Sequence, residues 1–292
     1  MFAIIGAAGK VGYATSSALR EAGASVRAIL RDASKAAQLR EIGCEIAFAD
    51  IQDSEALAKA IGDADTVQII LPPSPQSKDT AAEMRAMIEN LAVAIEMAHP
   101  KRMLAISDYG AHITDDIGMP TMCRTFEERL DQLNCRKLFL RSAEHMQGWG
   151  RAIPAAVESG TLLSFHDPVD MLFPTISAPD LGLIAADLLL RSFDDKDVEI
   201  VHAEGPRRYS AKDVAEALGQ LLGRTFEAKA VPRSQWKGSF ERVMSVSLAE
   251  LLIKANEAQN KGGLVDVEPD SGNVRYGSTE LIDALRPLLP PL

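Results

Sequence analysis

The first half of the chain alternates short apolar runs with longer segments of helical periodicity. The apolar runs are rich in Ile, Val and Leu, as expected of strands that helices cover on both faces. The predicted strands are Phe2–Ile5, Ser25–Leu30, Glu45–Ala49, Thr66–Leu71 and Arg102–Ser107. The predicted helices between them are Val11–Ala22, Ser34–Ile42, Ser54–Ile61 and Thr80–Ala98. Because parallel strands need crossover helices, this rhythm predicts an α/β fold with a doubly wound parallel sheet of the Rossmann type.

The same alternation continues along the chain and loosens after about Gly148. The later predicted elements are the helices Arg124–Leu133, Asp180–Ser192 and Ser210–Leu222 and the strand Lys137–Arg141. We therefore predict a Rossmann domain over residues 1–148. Residues 149–292 are predicted to form a smaller C-terminal α/β lobe, with chain segments that interleave with the first domain.

Composition and charge narrow the class of protein. The 292 residues are 47% hydrophobic, which is enough to bury a substantial core. No apolar run reaches the roughly 18 residues that a membrane-spanning helix needs. The net charge of −10 opposes direct binding to nucleic acid. The three cysteines lack metal-ligand spacing, so they indicate neither a disulfide framework nor a metal site and favour a reducing, cytoplasmic environment.

Three glycines follow the first predicted strand at intervals of three, and the third opens a predicted helix. Residues without a Cβ let the backbone turn sharply, approach a pyrophosphate and pack the helix against the strand. The helix N-terminus then presents N–H groups to the phosphates. The spacing is G-x-x-G-x-x-G rather than G-x-G-x-x-G, but its place after the first strand of a βαβ series fits the dinucleotide fingerprint. The predicted phosphate loop consists of Gly6, Ala8, Gly9, Lys10, Val11 and Gly12.

The end of the second predicted strand indicates which dinucleotide binds. In this fold an acid there favours the free ribose hydroxyl, whereas an arginine favours the 2′-phosphate. Arg31 stands at this end and Lys35 follows shortly after, which favours NADP(H) over NAD(H). Asp32 is the counter-argument, since it is either a ribose ligand or the cap of the next turn. Arg27 is either a cofactor ligand or a charge on the strand face.

Two further loops lie at the edge where ligands bind in open α/β sheets. Asp50 and Ile51 follow the third strand, where a loop can meet the adenine, although an Asp at this place is also an ordinary helix-start signal. The loop after the fourth strand is expected to form a wall for the ribose and nicotinamide. That wall consists of Leu71, Pro72 and Pro73.

With these features in place, the chain resembles the NmrA-like group of atypical short-chain dehydrogenase/reductase proteins. The segments that carry the resemblance are Gly6–Gly12, Val26–Asp32, Ala49–Asp53 and Met103–Ser107, with a looser likeness in Glu128–Arg141 and Tyr209–Gly223. The resemblance implies an NAD(P)-binding fold. Members of the group divide between reductases, for example of quinones or unsaturated compounds, and redox sensors that bind the cofactor without turning it over.

One departure from the wider superfamily concerns its Tyr-x-x-x-Lys dyad, in which the lysine lowers the pKa of a tyrosine that donates a proton. Four residues after Tyr109 stands Ile113, so the dyad is absent there. Tyr109 is then either a hydrogen-bond donor to substrate or a packed loop tyrosine. Ser107 resembles the family position that faces the nicotinamide.

Two charged or titratable residues complete the candidate catalytic set. Arg124 can orient a carbonyl or phosphate but cannot pass a proton, and it can equally pair with Glu127 or Glu128 on a helix surface. For His145, the resemblance places the surrounding segment beside the substrate pocket, and imidazole has a pKa suited to acid catalysis. A lone histidine is also often structural. The candidate catalytic residues are therefore Tyr109, Ser107, His145 and Arg124.

Two functions fit these features. The first is an NADPH-dependent reductase of a small apolar or quinone-like molecule. The second is a non-catalytic NADP(H) redox sensor that acts through a regulatory protein partner, which the missing dyad favours. A metal, a nucleic acid and a membrane are not expected as partners.

Overall fold

The strands and helices of the chain follow the predicted alternation in a computed structural model that describes residues 1–191 and 197–290. The strands are β1 (Phe2–Ile5), β2 (Val26–Leu30), β3 (Glu45–Phe48), β4 (Thr66–Ile70), β5 (Arg102–Asp108), β6 (Arg136–Ser142), β7 (Glu144–His145), β8 (Thr161–Ser164), β9 (Thr175–Ile176), β10 (Val198–Glu204), β11 (Glu227–Ala230) and β12 (Val274–Tyr276). The helices are α1 (Lys10–Glu21), α2 (Ala36–Glu41), α3 (Ser54–Ile61), α4 (Thr80–Ala98), α5 (Met119–Asp131), α6 (Ile153–Ser159), α7 (Ala178–Leu190), α8 (Ala211–Leu222), α9 (Trp236–Glu241), α10 (Val246–Asn260) and α11 (Leu281–Leu285). The predicted helix Asp180–Ser192 corresponds to α7, and its predicted last residue, Ser192, lies outside the described residues.

Eight of these strands form one parallel sheet in the order β12-β10-β6-β5-β4-β1-β2-β3. The chain fills one half of the sheet from β1 to β3 and then crosses back to place β4 on the other side of β1. The loops after β1 and β4 therefore diverge from adjacent strands, which is where open α/β sheets bind their ligands. The predicted doubly wound Rossmann sheet is confirmed.

Helices cover both faces of the sheet. Helices α3, α4 and α5 bury one apolar layer against it, and α1, α2 and α7 bury the other. Helix α7 lies so close to α1 that a Cβ at Gly182 would overlap the carbonyl oxygen of Val11. The hydroxyl of Thr15 donates to the carbonyl of Gly182 over 3.1 Å. This contact holds α1 in position beneath the glycine loop.

A second, smaller core lies beyond the carboxyl edge of the sheet. It contains helices α6, α8 and α11 beside the parallel pair β8 and β11. Helices α9 and α10 form a neighbouring cluster. The chain passes repeatedly between the two cores, since α7, β10 and β12 follow residue 148 in sequence and yet pack with the central sheet.

Several elements differ from the sequence expectation, among them α5 and β10. Helix α5 begins at Met119 rather than Arg124, because Gly118 adopts a φ of +79° before it and Pro120 fits the first turn, where no intrahelical N–H is needed. Strand β10 was not predicted. Its apolar pattern is interrupted by Glu199, His202 and Glu204, although the last two are buried.

Gln68 provides a test of how the sheet is stabilised. It is fully buried in β4, and neither its Oε1 nor its Nε2 has a hydrogen-bond partner among the described residues. A buried, unsatisfied polar group costs about 1–3 kcal/mol. We expect Gln68→Leu to raise the free energy of unfolding by about 1 kcal/mol in urea denaturation.

Gln38→Leu, on an exposed face of α2, is the matched control and should change stability by less than about 0.5 kcal/mol. A less stable Gln68→Leu variant would show that the amide has a polar partner, such as a buried water, and would contradict this interpretation.

Candidate functional site

The glycine loop between β1 and α1 is shaped by two glycines that no other residue could replace without movement. Gly6 has a φ of +75°, and a Cβ there would lie 2.7 Å from Cγ2 of Ile70. A Cβ at Gly12 would overlap the Gly6 carbonyl oxygen and come within 2.8 Å of the Ala7 Cα. The first turn of α1 therefore rests directly against the loop, as a dinucleotide-binding turn requires.

The N-terminus of α1 is open toward the carboxyl edge of the sheet. Gly9 occupies the cap position with no side-chain hydrogen bond, and the first intrahelical bond runs from the Tyr13 N–H to the Gly9 carbonyl over 2.8 Å. The N–H groups of the first turn precede this bond and so lack intrahelical acceptors. Ala8, Gly9 and Lys10 are exposed. The predicted loop thus offers backbone donors to an anionic ligand.

Two exposed cations follow β2, whereas the acid between them accepts a backbone hydrogen bond. Arg31 and Lys35 are both exposed. The Oδ1 of Asp32 accepts the Ser34 N–H over 2.9 Å and caps the following turn. Hydrogen bonds from Ser34, and then the nearby charges of Lys35 and Arg31, lower the pKa of Asp32.

The Arg27 side chain is held by contacts on the face of the sheet, away from the glycine loop. Its guanidinium contacts Glu45 at 2.7 Å and Asp63 at 3.1 Å, and it donates to the Ile61 carbonyl over 2.8 Å. Of the two interpretations of Arg27, the structure therefore favours the charge on the strand face.

The two remaining loops at this edge differ in exposure. Asp50 accepts the Gln52 N–H over 3.0 Å, which closes a local turn, and Ile51 packs on the core. Leu71 is buried in the same core. Pro72 is exposed and Pro73 half-buried. Farther along this second loop, the Pro75 carbonyl accepts the Ser245 N–H over 2.8 Å, which ties the loop to the start of α10.

Ser107 lies near the end of β5 with only 5% of its surface exposed. Its Oγ has no hydrogen-bond partner among the described residues. A buried hydroxyl normally finds a partner, so one left without is an expected position for a ligand group. Together with the glycine loop, this orphaned hydroxyl fits the nicotinamide dinucleotide that the fold accommodates.

Tyr109 is placed differently from the expectation. Its side chain is fully buried, and its ring packs edge-on against His202 with centroids 5.5 Å apart. Burial, and then the charge of Glu204, raise the pKa of Tyr109 above its usual range. The Tyr109 ring is therefore packed in the interior, and its hydroxyl, like that of Ser107, has no hydrogen-bond partner among the described residues.

Arg124 is also occupied by structural contacts. One guanidinium nitrogen donates to the Ile113 carbonyl over 2.7 Å, and another lies 3.6 Å from Glu128 in the next turn of α5. Arg124 thus ties α5 to the loop after β5. The structure favours this helix-surface pairing over a contact with substrate.

His145 lies in the short strand β7, which follows β6 in the chain. Burial lowers the pKa of His145; the charge of Glu144 opposes this change, and the charge of Lys10 adds to it. The imidazole is therefore mainly neutral at pH 7.

An acidic group at the same edge was missed at the sequence level. Asp108 directly follows Ser107 and is partly exposed. Burial, and then the negative charge of Glu144, raise the pKa of Asp108 to about 7, with a further contribution from Glu127 and against a hydrogen bond from the Tyr109 N–H. Strongly shifted carboxyls cluster at functional sites, which is the signal that only the structure reveals.

Glu144 is paired with a histidine from the smaller lobe. His166 Nε2 lies 3.3 Å from its carboxylate, and 46% of the Glu144 side chain is exposed. Burial raises the pKa of Glu144, but the contact with His166 and the nearby His145 and Arg151 outweigh it, so the pKa lies below its usual value. Glu144 therefore stays ionised beside Asp108.

Aromatic side chains of the smaller lobe pack against His166, the partner of Glu144. His166 stacks on Phe173 with centroids 3.8 Å apart and lies 6.2 Å from the Trp149 ring. Phe165 stacks on Phe240 at 4.2 Å. The candidate site thus consists of the open glycine loop after β1, the Ser107 hydroxyl near the end of β5 and the ionisable groups that follow β5 and β6, all at the carboxyl edge of the sheet.

Other kinds of site find no support in the described part of the chain. No group of His, Cys, Asp or Glu there is arranged to hold a metal ion. No helix there is long and apolar enough to cross a membrane. A shallow depression lined by Met1, Asp65 and Lys101 lies at the opposite, amino edge of the sheet and contains none of the site residues.

A parallel sheet of this order, with a glycine loop at its point of divergence, is typical of dinucleotide-binding folds. Residues 6–132 match a family model described as NAD(P)H-binding. The NAD(P)-binding fold that the family resemblance implies is confirmed.

Comparison with individual proteins extends the likeness beyond this domain. The chain is 25% identical to an NAD(P)H azoreductase of Xenophilus azovorans over 254 residues, which cover 86% of this chain and 85% of the relative. Its fold is similar to that of a triphenylmethane reductase from Citrobacter sp., with a TM-score of 0.81, 19% identity and 99% of each chain covered. An NADPH-dependent quinone oxidoreductase from Escherichia coli, solved with NADPH, gives a TM-score of 0.80, 20% identity and 99% coverage of each chain.

The phosphate loop can be tested by substitution at Gly9, where φ is −78° and a Cβ would lie 3.3 Å from the Gly6 carbonyl oxygen. Gly9→Asp adds a negative charge beside the predicted pyrophosphate. We expect calorimetry to show NADPH binding weakened at least about 30-fold, which corresponds to about 2 kcal/mol.

Gly9→Ala is the matched control, because its methyl needs only a small shift of the Gly6 carbonyl. Its affinity for NADPH should stay within about threefold of the parent. Equal binding by a folded Gly9→Asp variant would place the phosphates elsewhere.

Proposed function

We propose that the chain is an NADPH-dependent reductase of a small, apolar, conjugated acceptor of the quinone or azo type. The observation that carries this proposal is the orphaned Ser107 hydroxyl, which lies at the same carboxyl edge of the sheet as the open glycine loop and is separated from it by β4. Held by the loop and by Ser107, a reduced nicotinamide would supply a hydride to the acceptor. The chain's own task is then to position the two reactants and exclude water.

The preference for NADPH is supported by the charges after β2. Arg31 and Lys35 are exposed and close enough to Asp32 to lower its pKa. Asp32, the residue that would favour NADH, is engaged with the Ser34 N–H. A free guanidinium beside the ribose suits a phosphate better than a hydroxyl, because it can donate two parallel charge-assisted hydrogen bonds.

The acceptor class is supported by the proteins to which the chain is similar and by the aromatic side chains that pack against His166. These proteins are named as an azoreductase, a triphenylmethane reductase and a quinone oxidoreductase. His166, which contacts Glu144, stacks on Phe173 in the adjoining lobe. Ring systems favour flat, conjugated ligands through stacked contacts.

A redox sensor is the second candidate. Its support is the residue Ile113 four places after Tyr109, where the lysine of the dyad would stand, together with the burial of Tyr109. A protein that only binds the cofactor needs no proton donor. The two candidates differ in one observable, which is the oxidation of NADPH when an acceptor is present.

Substitution of Arg31 tests the cofactor preference. Arg31→Ala removes about 1.5–3 kcal/mol of charged hydrogen bonding from the 2′-phosphate, so we expect calorimetry to show NADPH binding weakened about 10- to 100-fold. NADH, which lacks this phosphate, should bind the variant within about twofold of the parent.

Arg40→Ala, an exposed arginine of α2, should leave both affinities unchanged and controls for net charge. Equal losses for NADPH and NADH in Arg31→Ala would mean that the 2′-phosphate is bound by other residues.

The reductase itself is tested by absorbance at the nicotinamide band in the presence of a simple quinone, an azo dye or a triphenylmethane dye. We expect NADPH to be oxidised only when protein and acceptor are both present, and Gly9→Asp to abolish this decay. Tight NADPH binding without decay for the whole panel would contradict the reductase and support the sensor.

A further inference from the structure

Helices α9 and α10 belong to a unit, residues 231–260, that has a small apolar core of its own. Trp236, Phe240 and Leu248 are buried in this core. The Trp236 indole N–H donates to the Val231 carbonyl over 2.7 Å, which closes the unit at its start. Helix α10 joins the unit to the rest of the molecule, because it packs against α4 and α5.

A continuous series of contacts connects the glycine loop with the start of α10. A Cβ at Gly6 would lie 2.7 Å from Cγ2 of Ile70, so the last residue of β4 touches the glycine loop. The chain leaves β4 at this point and forms the loop 71–79 that leads to α4. The Pro75 carbonyl in this loop accepts the Ser245 N–H over 2.8 Å. The start of α10 is thus bound to a loop that begins beside Gly6.

Ser247 adds a second bond at the far end of the same loop. Its Oγ accepts the N–H of Thr80, the first residue of α4, over 2.7 Å. The first N–H groups of a helix have no acceptor within that helix. Here the acceptor comes from another helix, 167 residues away in the chain. The loop after β4 is therefore held at its middle by Ser245 and at its end by Ser247.

The remainder of α10 rests on the loop after β5 and on the smaller lobe. A Cβ at Gly118, just before α5, would overlap the carbonyl oxygen of Leu251. Asn260, the last residue of α10, donates to the Phe165 carbonyl over 2.8 Å. Helix α10 therefore bridges the loops that leave two adjacent strands, β4 and β5, at the carboxyl edge of the sheet.

We propose that Ser247 is a positioning residue for the cofactor. By holding Thr80, it keeps the loop after β4 in place beside Gly6, where this loop is expected to form the wall of the nicotinamide site. The inference rests on the part of the proposed function that places a dinucleotide on the glycine loop, and it is independent of the acceptor. Because coupling between two sites is reciprocal, a cofactor held by this loop also stabilises the attachment of α10.

Affinity measurements test the positioning role. Ser247→Ala removes the acceptor of the Thr80 N–H, so we expect calorimetry to show NADPH binding weakened about three- to tenfold. NADH should lose the same factor, because the loop after β4 follows a different strand from the one that ends at Arg31. Ser247→Thr keeps a hydroxyl and should bind NADPH within about twofold of the parent. Ser234→Ala, at an exposed serine of the same unit, is the matched control and should also keep the parent affinity.

Hydrogen exchange tests the coupling without turnover. In the parent, NADPH should slow the exchange of the backbone N–H groups of α10 at least about threefold. In Ser247→Ala this protection of α10 should be lost, whereas NADPH should still protect residues 8–12 of the glycine loop. A serine that only stabilised the fold would leave the response of α10 to NADPH unchanged.

The outcomes separate this inference from the dinucleotide assignment. A parent protein that binds neither NADPH nor NADH would overturn both. A parent that binds NADPH, with Ser247→Ala binding it equally tightly, would overturn the positioning role alone. If Ser247→Ala does not fold, the exchange of α10 in the parent is decisive: slower exchange with NADPH supports the coupling, and unchanged exchange overturns it.

Discussion

The first turn of helix α1 lies so close to the loop after β1 that a Cβ added at their contact would push the helix and the loop apart. Gly12 allows this contact from the helix side, and Gly182 allows α7 to pack closely on the other side of α1. The uncapped N–H groups of α1 are thereby held at the point where β1 and β4 diverge. Cofactor binding, and every role proposed for the site, depends on this placement of a helix N-terminus.

The chemistry of the site follows from which polar groups the fold buries and which it leaves partly exposed. The loop after β5 buries Tyr109 against His202 but leaves the Asp108 carboxyl near solvent. Farther along the chain, Arg141 holds Glu127 and Glu268 at 2.8 Å each, which fixes α5 and the segment before β12 over this edge. The charge of Glu127 that influences Asp108 is thus part of the structural network that closes the fold.

The fold of the first half could be predicted because its signals are local. Strand β1 and helices α3 and α4 begin and end at the predicted residues, since apolar periodicity and cap residues such as Asp53 and Asp79 mark them directly. The position of the glycine loop between β1 and α1 could be predicted for the same reason. Strand β10 could not, because its charged residues are buried by contacts with distant segments that sequence alone does not reveal.

The candidate catalytic residues were harder to predict for the same reason. The burial of Tyr109 depends on His202, which is far along the chain. The ionisable groups Asp108, Glu144 and His166 come from three separate segments, and no spacing in the sequence relates them. Residue types at the ends of strands indicate where a site lies, whereas the contacts between lobes decide which side chain can act.

A crystal structure of the protein with NADP⁺ tests the central claim most directly. The account predicts pyrophosphate oxygens on the backbone N–H groups of residues 8–12 and the nicotinamide group within hydrogen-bond distance of Ser107 Oγ. A dinucleotide bound at another edge of the sheet, or one that leaves Ser107 without a partner, would contradict it.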